Sequence, residues 1–176
     1  MNFELTEQQQ HIVNQAREFA AQRLAPGVVE RDETSEFPLK AFKEFGTMGM
    51  YGLCYPKEFG GTDLGYVPYI LAVEEVSKVD ASFGIAFSVN TSLYGGSIMY
   101  SNADAEQKKR FLSPIASGKS IGSFGLTEHS AGSDAAGQKT IAEKDGDGYI
   151  LNGTKIFNTN GPLADYTGVY ALTDPS

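Results

Sequence analysis

The sequence predicts an α+β chain: an N-terminal all-helical domain, residues 1–119, followed by an incomplete antiparallel β domain, residues 120–176. Three observations carry this. Apolar residues recur at helical spacing up to about residue 118 and then give way to short strand-like runs. The turns of the second region are Asp-Gly and Asn-Gly pairs, the residues that tolerate the backbone of tight hairpins. The last strand-like run reaches Thr173, three residues before the end of the 176-residue sequence, so the sheet is expected to lack strands and the chain to be truncated relative to a complete fold.

The elements follow in order. Thr6 and Gln9 match a capping box ahead of Ile12, Ala16, Phe19, Ala20 and Leu24, and Pro26 interrupts that helix. A second short helix is expected from Pro38, with Leu39, Phe42 and Phe45 inward. The segment PKEFGGTDLGY, residues 56–66, is a turn-rich link. The next helix should present Tyr66, Tyr69, Ile70, Val73 and Val76 on one stripe. Asp80 is placed to cap the following helix. That helix, ASFGIAFSVNTSLYGGSIMY, is apolar all round and is expected to be central. Asp104 and Gln107 repeat the capping-box spacing before Phe111, Leu112 and Ile115. Beyond Gly118, strands are expected in IGSFGLT, QKTIAEK, GYILN, TKIFNT and YTGVYALT, with Asn152 and Gly153 turning a hairpin between the third and fourth.

Composition excludes several function classes. With 14 basic and 22 acidic residues the net charge is −8, which opposes binding to nucleic acid. The single cysteine, Cys54, allows no internal disulfide and no multi-cysteine metal site. The only histidines, His11 and His129, lie far apart. The polar start MNFELTEQQQ has neither an export-signal nor a transit-peptide layout, and no apolar run is long enough to span a bilayer. A soluble, reducing, cytoplasmic setting is the expectation, and the glycosylation-type triplets at Asn90 and Asn152 read as coincidence.

Two motifs invite a chemical reading and lose it on inspection. SPIASGKS resembles the end of a phosphate loop, but Ser113 stands where the first glycine is needed, and a helix precedes where a strand should. His129, Ser130, Ser133 and Asp134 suggest a Ser-His-Asp triad. Members packed into one six-residue loop rarely place an imidazole between hydroxyl and carboxylate, and no G-x-S-x-G elbow is present. Residues 125–140, GLTEHSAGSDAAGQKT, are better read as a platform. The Thr127 hydroxyl and neighbouring N–H groups face a flat polar ligand, Ala131 and Gly132 permit close approach, and Ser133 donates to an anionic oxygen. A tight connection in a β domain is the equally simple account. If residues 154–159 form a strand, Phe157 and Thr159 share a face suited to an aromatic, hydrogen-bonding cofactor, or are an ordinary core Phe beside a surface Thr. Ile85, Val89 and Leu93, spaced four apart, either pack a core or line an aliphatic pocket.

LTEHSAGSDAAGQKT followed by DGYILNGTKIFNTNGPLAD resembles the acyl-CoA dehydrogenases, whose usual forms are TEPxAGSD and a spaced LNGxKxFITNG. PKEFGG, AVEEVSKVDAS and AEQKKRFLSPIASG match the helical domain of the same family, so the resemblance covers nearly the whole chain and is strongest to short-chain, butyryl-CoA-type members. It implies a three-part subunit in which FAD lies beside the acyl-CoA and the C-terminal helical bundle is absent from this sequence. On the matching positions, Phe124, Leu126 and Thr127 contact the flavin. Phe157, Asn158 and Thr159 cover its ring, Ser133 binds the CoA portion, and Ile85, Val89 and Leu93 line the acyl pocket. The implied reaction is α,β-dehydrogenation of a short-chain acyl-CoA to the trans-2-enoyl-CoA, with electrons passing to an electron-transfer flavoprotein and the full-length protein a homotetramer. A non-catalytic flavin- or acyl-CoA-binding or assembly module of the same fold is the alternative, and a related flavoprotein oxidase or monooxygenase a third.

There are two departures. His129 replaces the usual proline, and Asn158 the usual isoleucine. On a strand Asn158 points away from the face of Phe157 and Thr159, where a buried amide needs partners. The resemblance also places the catalytic glutamate base beyond Ser176. Glu128 belongs to the flavin-side motif and is not that base.

Overall fold

Thr6 and Gln9 form the reciprocal cap that their spacing suggests. In the computed structural model of the protein, which describes residues 4–174, the Gln9 N–H donates to the Thr6 hydroxyl at 3.2 Å and the Thr6 N–H to the Gln9 side chain at 3.0 Å. Helix α1 (Glu7–Phe19) buries Ile12, Val13, Ala16 and Phe19, and a π-helical turn, Ala20–Leu24, carries the same face onward through Ala20 and Leu24. Helix α2 (Val28–Thr34) is absent from the sequence-based expectation. None of its residues is buried, so it leaves no apolar periodicity to read. Helix α3 (Leu39–Thr47) starts next to Pro38 and buries Ala41, Phe42 and Phe45.

Aromatic rings make the core. Phe42, Phe45, Phe83 and Phe87 are fully buried, and Phe45 meets Phe19, Phe83 and Phe87 with ring centroids 4.7, 5.4 and 5.2 Å away. Each ring contributes about 1.5–3 kcal/mol by leaving water. Two of the buried tyrosines have their polar ends satisfied: Tyr51 donates to the Phe42 carbonyl at 2.6 Å, and Tyr55 donates to the Thr91 carbonyl.

Helix α4 (Tyr66–Ser77) corrects one expectation. Its buried face is Tyr69, Ala72 and Val76, whereas Tyr66 and Ile70 of the expected stripe are exposed. The nearly even spread of apolar residues around this helix let two faces read alike. Asp80 caps helix α5 (Ala81–Ser88) by accepting from the Phe83 N–H at 3.0 Å. A π-helical segment, Val89–Gly95, and helix α6 (Gly96–Met99) extend it. This run is central on most sides, yet Ile85 and Leu93 reach solvent. Helix α7 (Ala105–Phe111) has the Asp104 and Gln107 capping box, and helix α8 (Ser113–Ala116) buries Ile115. Gly118, the residue that imitates a phosphate loop, has a packing reason instead. Its φ is +71°, and a Cβ on Gly46 would stand 2.7 Å from its Cα, so two backbones touch here.

The β region forms two small pairs. Strand β1 (Gly122–Gly125) runs parallel to strand β4 (Tyr166–Val169), with Gly122 opposite Tyr166. Strand β2 (Ile141–Asp145) runs antiparallel to strand β3 (Gly148–Asn152). The antiparallel pairing expected for this region thus holds for one hairpin, while β1 and β4 are parallel because the long crossover of residues 126–165 joins them. The hairpin turns at 145–148, where Gly146 has φ +54°, and not at Asn152 and Gly153. TKIFNT forms no strand. Its backbone leaves the hairpin to bond the 125–140 loop, and that long-range partner outweighs local alternation. β1 lies directly on the π-helical segment: a Cβ on Gly122 would sit 2.5 Å from the Tyr94 ring. Among the described residues no helix is long and apolar enough to cross a membrane.

Candidate functional site: the 125–140 loop and the 153–161 segment

Two stretches separated in sequence meet beside β1. The Ile156 N–H donates to the Thr127 carbonyl at 2.8 Å, and the Lys155 ammonium donates to the Leu126 carbonyl at 3.0 Å. Phe124 leaves β1 packed edge-on against Tyr170, with centroids 5.2 Å apart. Phe124, Leu126 and Thr127 are half-buried. The chain then reverses tightly, since Glu128 and Ala131 exchange backbone hydrogen bonds at 3.0 and 3.2 Å, which leaves His129 and Ser130 exposed at the tip. Ser133 follows, also exposed. His129, Ser130, Ser133 and Asp134 are all exposed.

Glu128 is the hub of this corner. Its carboxylate accepts from the Lys139 N–H at 2.7 Å, the Thr140 N–H at 2.9 Å, the Thr140 hydroxyl at 2.6 Å and the Lys155 ammonium at 2.8 Å. Lys155 completes its shell with the Gln138 side chain at 3.0 Å. Both side chains of the ion pair are buried, 6% and 7% exposed. The hydrogen bond from Lys155, reinforced by the Thr140 hydroxyl, holds the Glu128 carboxyl at about 2. A carboxylate so firmly ionised and fully engaged is a structural anchor and is unsuited to taking a proton at neutral pH. Lys155, Thr140 and Gln138 lie within the motif stretches, but each reads as a solvated strand residue, and only the fold brings Lys155 and Thr140 to one carboxylate with Gln138 on the lysine.

The 157–161 turn departs most from expectation. Phe157 has φ +57°, and its residue is 86% exposed. It is therefore not on a strand, and the shared-face argument for Phe157 and Thr159 does not apply. Their relation is set by a turn, in which the Thr159 N–H donates to the Phe157 carbonyl at 3.0 Å and the Gly161 N–H to the Asn158 carbonyl at 2.8 Å. The Thr159 carbonyl accepts from the Ser123 hydroxyl at 2.9 Å, which ties the turn to β1. Asn158 turns inward: its Oδ1 lies 3.7 Å from where a Gly125 Cβ would stand, and it is buried without a hydrogen-bond partner. A bulky aromatic in the left-handed region costs about 1–3 kcal/mol, and such residues cluster at binding sites. Phe157 recovers none of that by burial here and holds its ring out as an exposed aromatic face.

On the helical side of β1, Ile85 and Leu93 are 58% and 43% exposed, while Val89 is buried. Two of the three candidate pocket residues therefore present apolar surface and the third packs inward. A cleft of about 560 Å³ is lined by Val28, Arg31, Phe37, Asp80 and Ser82, and none of its lining residues belongs to the loop or the turn. Among the described residues no cluster of three metal-ligating side chains occurs.

Comparison with known proteins places the chain. A profile of the acyl-CoA dehydrogenase N-terminal domain matches residues 6–119, and one of the acyl-CoA dehydrogenase middle domain matches residues 123–176. The sequence is 43% identical over 99% of its length to the short-chain specific acyl-CoA dehydrogenase of Clostridium acetobutylicum, covering 46% of that protein. The fold superposes with a TM-score of 0.93 on butyryl-CoA dehydrogenase from Megasphaera elsdenii, at 42% identity over 99% of this chain and 46% of that one. A glutaryl-CoA dehydrogenase from Mycobacterium smegmatis in complex with FADH2 gives a TM-score of 0.89 at 39% identity, over 97% of this chain and 44% of that one. The chain thus spans about half the length of the relatives it matches. From these matches and the order of its motifs, the chain belongs to the acyl-CoA dehydrogenase family.

Proposed function

We propose that this chain is the N-terminal and partial middle region, divided near residues 119 and 120, of an FAD-dependent acyl-CoA dehydrogenase that converts a short-chain acyl-CoA to its trans-2-enoyl-CoA. The observation that carries the reading is Phe157, exposed and at positive φ, joined to the Thr127 loop by the hydrogen bond between Ile156 and Thr127. That exposed aromatic face, with Thr127 and Thr159 half-buried in the two segments it joins, supports a flat ring system as the ligand. Bound FAD supplies the hydride acceptor.

The chain's own residues bind and orient. Phe124, Leu126 and Thr127 form one limb of the flavin wall, and Phe157 and Thr159 the other. Asn158 contributes backbone, since its side chain points into the β1 side. Ser133 meets the CoA portion. Ile85 and Leu93 offer apolar surface to the acyl chain, and Val89 backs them. Glu128, Lys155 and Thr140 keep the two limbs in register. The α-proton needs a base with a suitably poised carboxyl. Glu128 is held too acidic for that, so the base comes from the half of the protein beyond this chain. Electron-transfer flavoprotein as acceptor, a homotetrameric assembly and a cytoplasmic location complete the reading.

The test uses the full-length protein that contains this chain. Anaerobic addition of butyryl-CoA is expected to bleach the flavin absorbance, with crotonyl-CoA formed in equal amount. Binding of flavin and acyl-CoA without bleaching would mean a binding module. Bleaching followed in air by peroxide at the turnover rate would mean an oxidase.

A further inference from the structure

We propose that Asn160 is a positioning residue: its amide locks the turn carrying Phe157 and Thr159 to the helix carrying the acyl-facing side chains, so that the flavin wall and the acyl surface hold one register. The inference rests on the function proposed above and deepens it. Asn160 has φ +66°, which asparagine tolerates better than most residues. Glycine would serve that backbone equally well, so the side chain calls for its own explanation.

The amide reaches far beyond its own turn. Asn160 Nδ2 donates to the Ala86 carbonyl of α5 at 3.0 Å and to the Gly122 carbonyl of β1 at 3.1 Å. Ala86 adjoins Ile85 and precedes Val89 by one helical turn. From the other side, Asn90 Oδ1 accepts from the Gly122 N–H at 2.7 Å. Gly122 is thus gripped through both its N–H and its carbonyl by two buried amides, one from the helical region and one from the turn. The next residue, Ser123, holds the Thr159 carbonyl. Thr159 therefore sits between two anchors, its own carbonyl on Ser123 and the Asn160 side chain on Gly122 and Ala86.

The network is not built for stability alone. Asn90 Nδ2, Asn160 Oδ1 and Asn158 Oδ1 are buried without partners, and each unmet polar atom costs folding free energy. Apolar side chains of similar size would avoid that cost. What they would not supply is a directional link among three segments that meet nowhere else in sequence.

The test compares Asn160→Gly, which keeps the backbone and removes the amide, with Asn160→Asp, which keeps the shape and removes the Nδ2 donors, in full-length FAD-loaded protein. Both are expected to bind flavin stoichiometrically but to lose the wild-type visible circular dichroism of the bound flavin. The anaerobic rate of flavin reduction by butyryl-CoA should fall by roughly ten- to a hundredfold, the scale set by a displacement of about 1 Å, with a smaller change in substrate affinity. Wild-type dichroism and reduction rate in either variant would overturn the proposal. So would flavin loss that merely tracks a lower melting temperature. If neither variant folds, Ser123→Ala, which frees the Thr159 carbonyl, carries the test, and an unchanged dichroism there refutes it. Failure of the wild-type protein to reduce its flavin with any acyl-CoA would instead sink the function proposed above.

Discussion

The helical region and the β region keep their shape by different means. In the first, Phe42, Phe45, Phe83 and Phe87 are fully buried and lean on one another. In the second, every residue of β3 is exposed, including Tyr149, Ile150 and Leu151, and Phe157 stands in solvent. Order there comes from the carboxylate of Glu128 and from amides that bridge to the helices. The contrast shows how the work is divided. A packed core needs only apolar side chains of roughly the right size. A corner that leaves apolar surface uncovered relies on directional polar bonds for its geometry.

The comparison breaks first at Phe45. Phe45→Ala removes a ring at the centre of the aromatic cluster and is expected to cost about 3–5 kcal/mol, read from the urea-unfolding midpoint. A cost below about 1 kcal/mol would mean that the core is not the organising element.

A smaller effect is expected at Glu128. Its folded value of about 2 lies below the ordinary 4.5. A depressed carboxyl stabilises the native state above its unfolded value, and that contribution fades as pH falls from about 4.5 towards 2. The Thr140 amide resonance should follow this titration with a midpoint near 2, and Glu128→Gln should abolish it. A midpoint near 4.5 would dissolve the hub.

The smallest effect sharpens the contrast. Ile150→Ser truncates an apolar side chain as Phe45→Ala does, but on an exposed strand, so stability should move by no more than about 0.5 kcal/mol. A larger loss would reveal that the hairpin is packed against another part of the molecule.

Much of the helical region was legible in the sequence because its signals are local. The boxes at Thr6 and Asp104 and the cap at Asp80 need only residues three apart, and the spacing of Phe42 and Phe45 reports a buried face within one element. Helix α2 stayed hidden because it buries nothing, and α4 showed the wrong stripe because apolar residues surround it. In the β region, short apolar runs located β1 to β4, but alternation in TKIFNT mimicked a strand that does not form. The motifs pointed to the loop at Thr127 and the turn at Phe157 and contain Lys155 and Asn160, but the pattern alone gave those two residues no role; Lys155 ties the turn segment to the loop, and Asn160 ties it to β1 and α5.

By itself the sequence determined the change from helices to strands, the N-terminal ends of the capped helices, and the family. Only the tertiary structure decided that Phe157 leaves the sheet at positive φ, that β1 and β4 run parallel, and that Glu128 meets a lysine 27 residues away. The reason lies in range. Caps and periodicity are settled among near neighbours along the chain. A strained turn or a buried ion pair persists only when partners brought from distant segments hold it, and no local pattern records which partners those are.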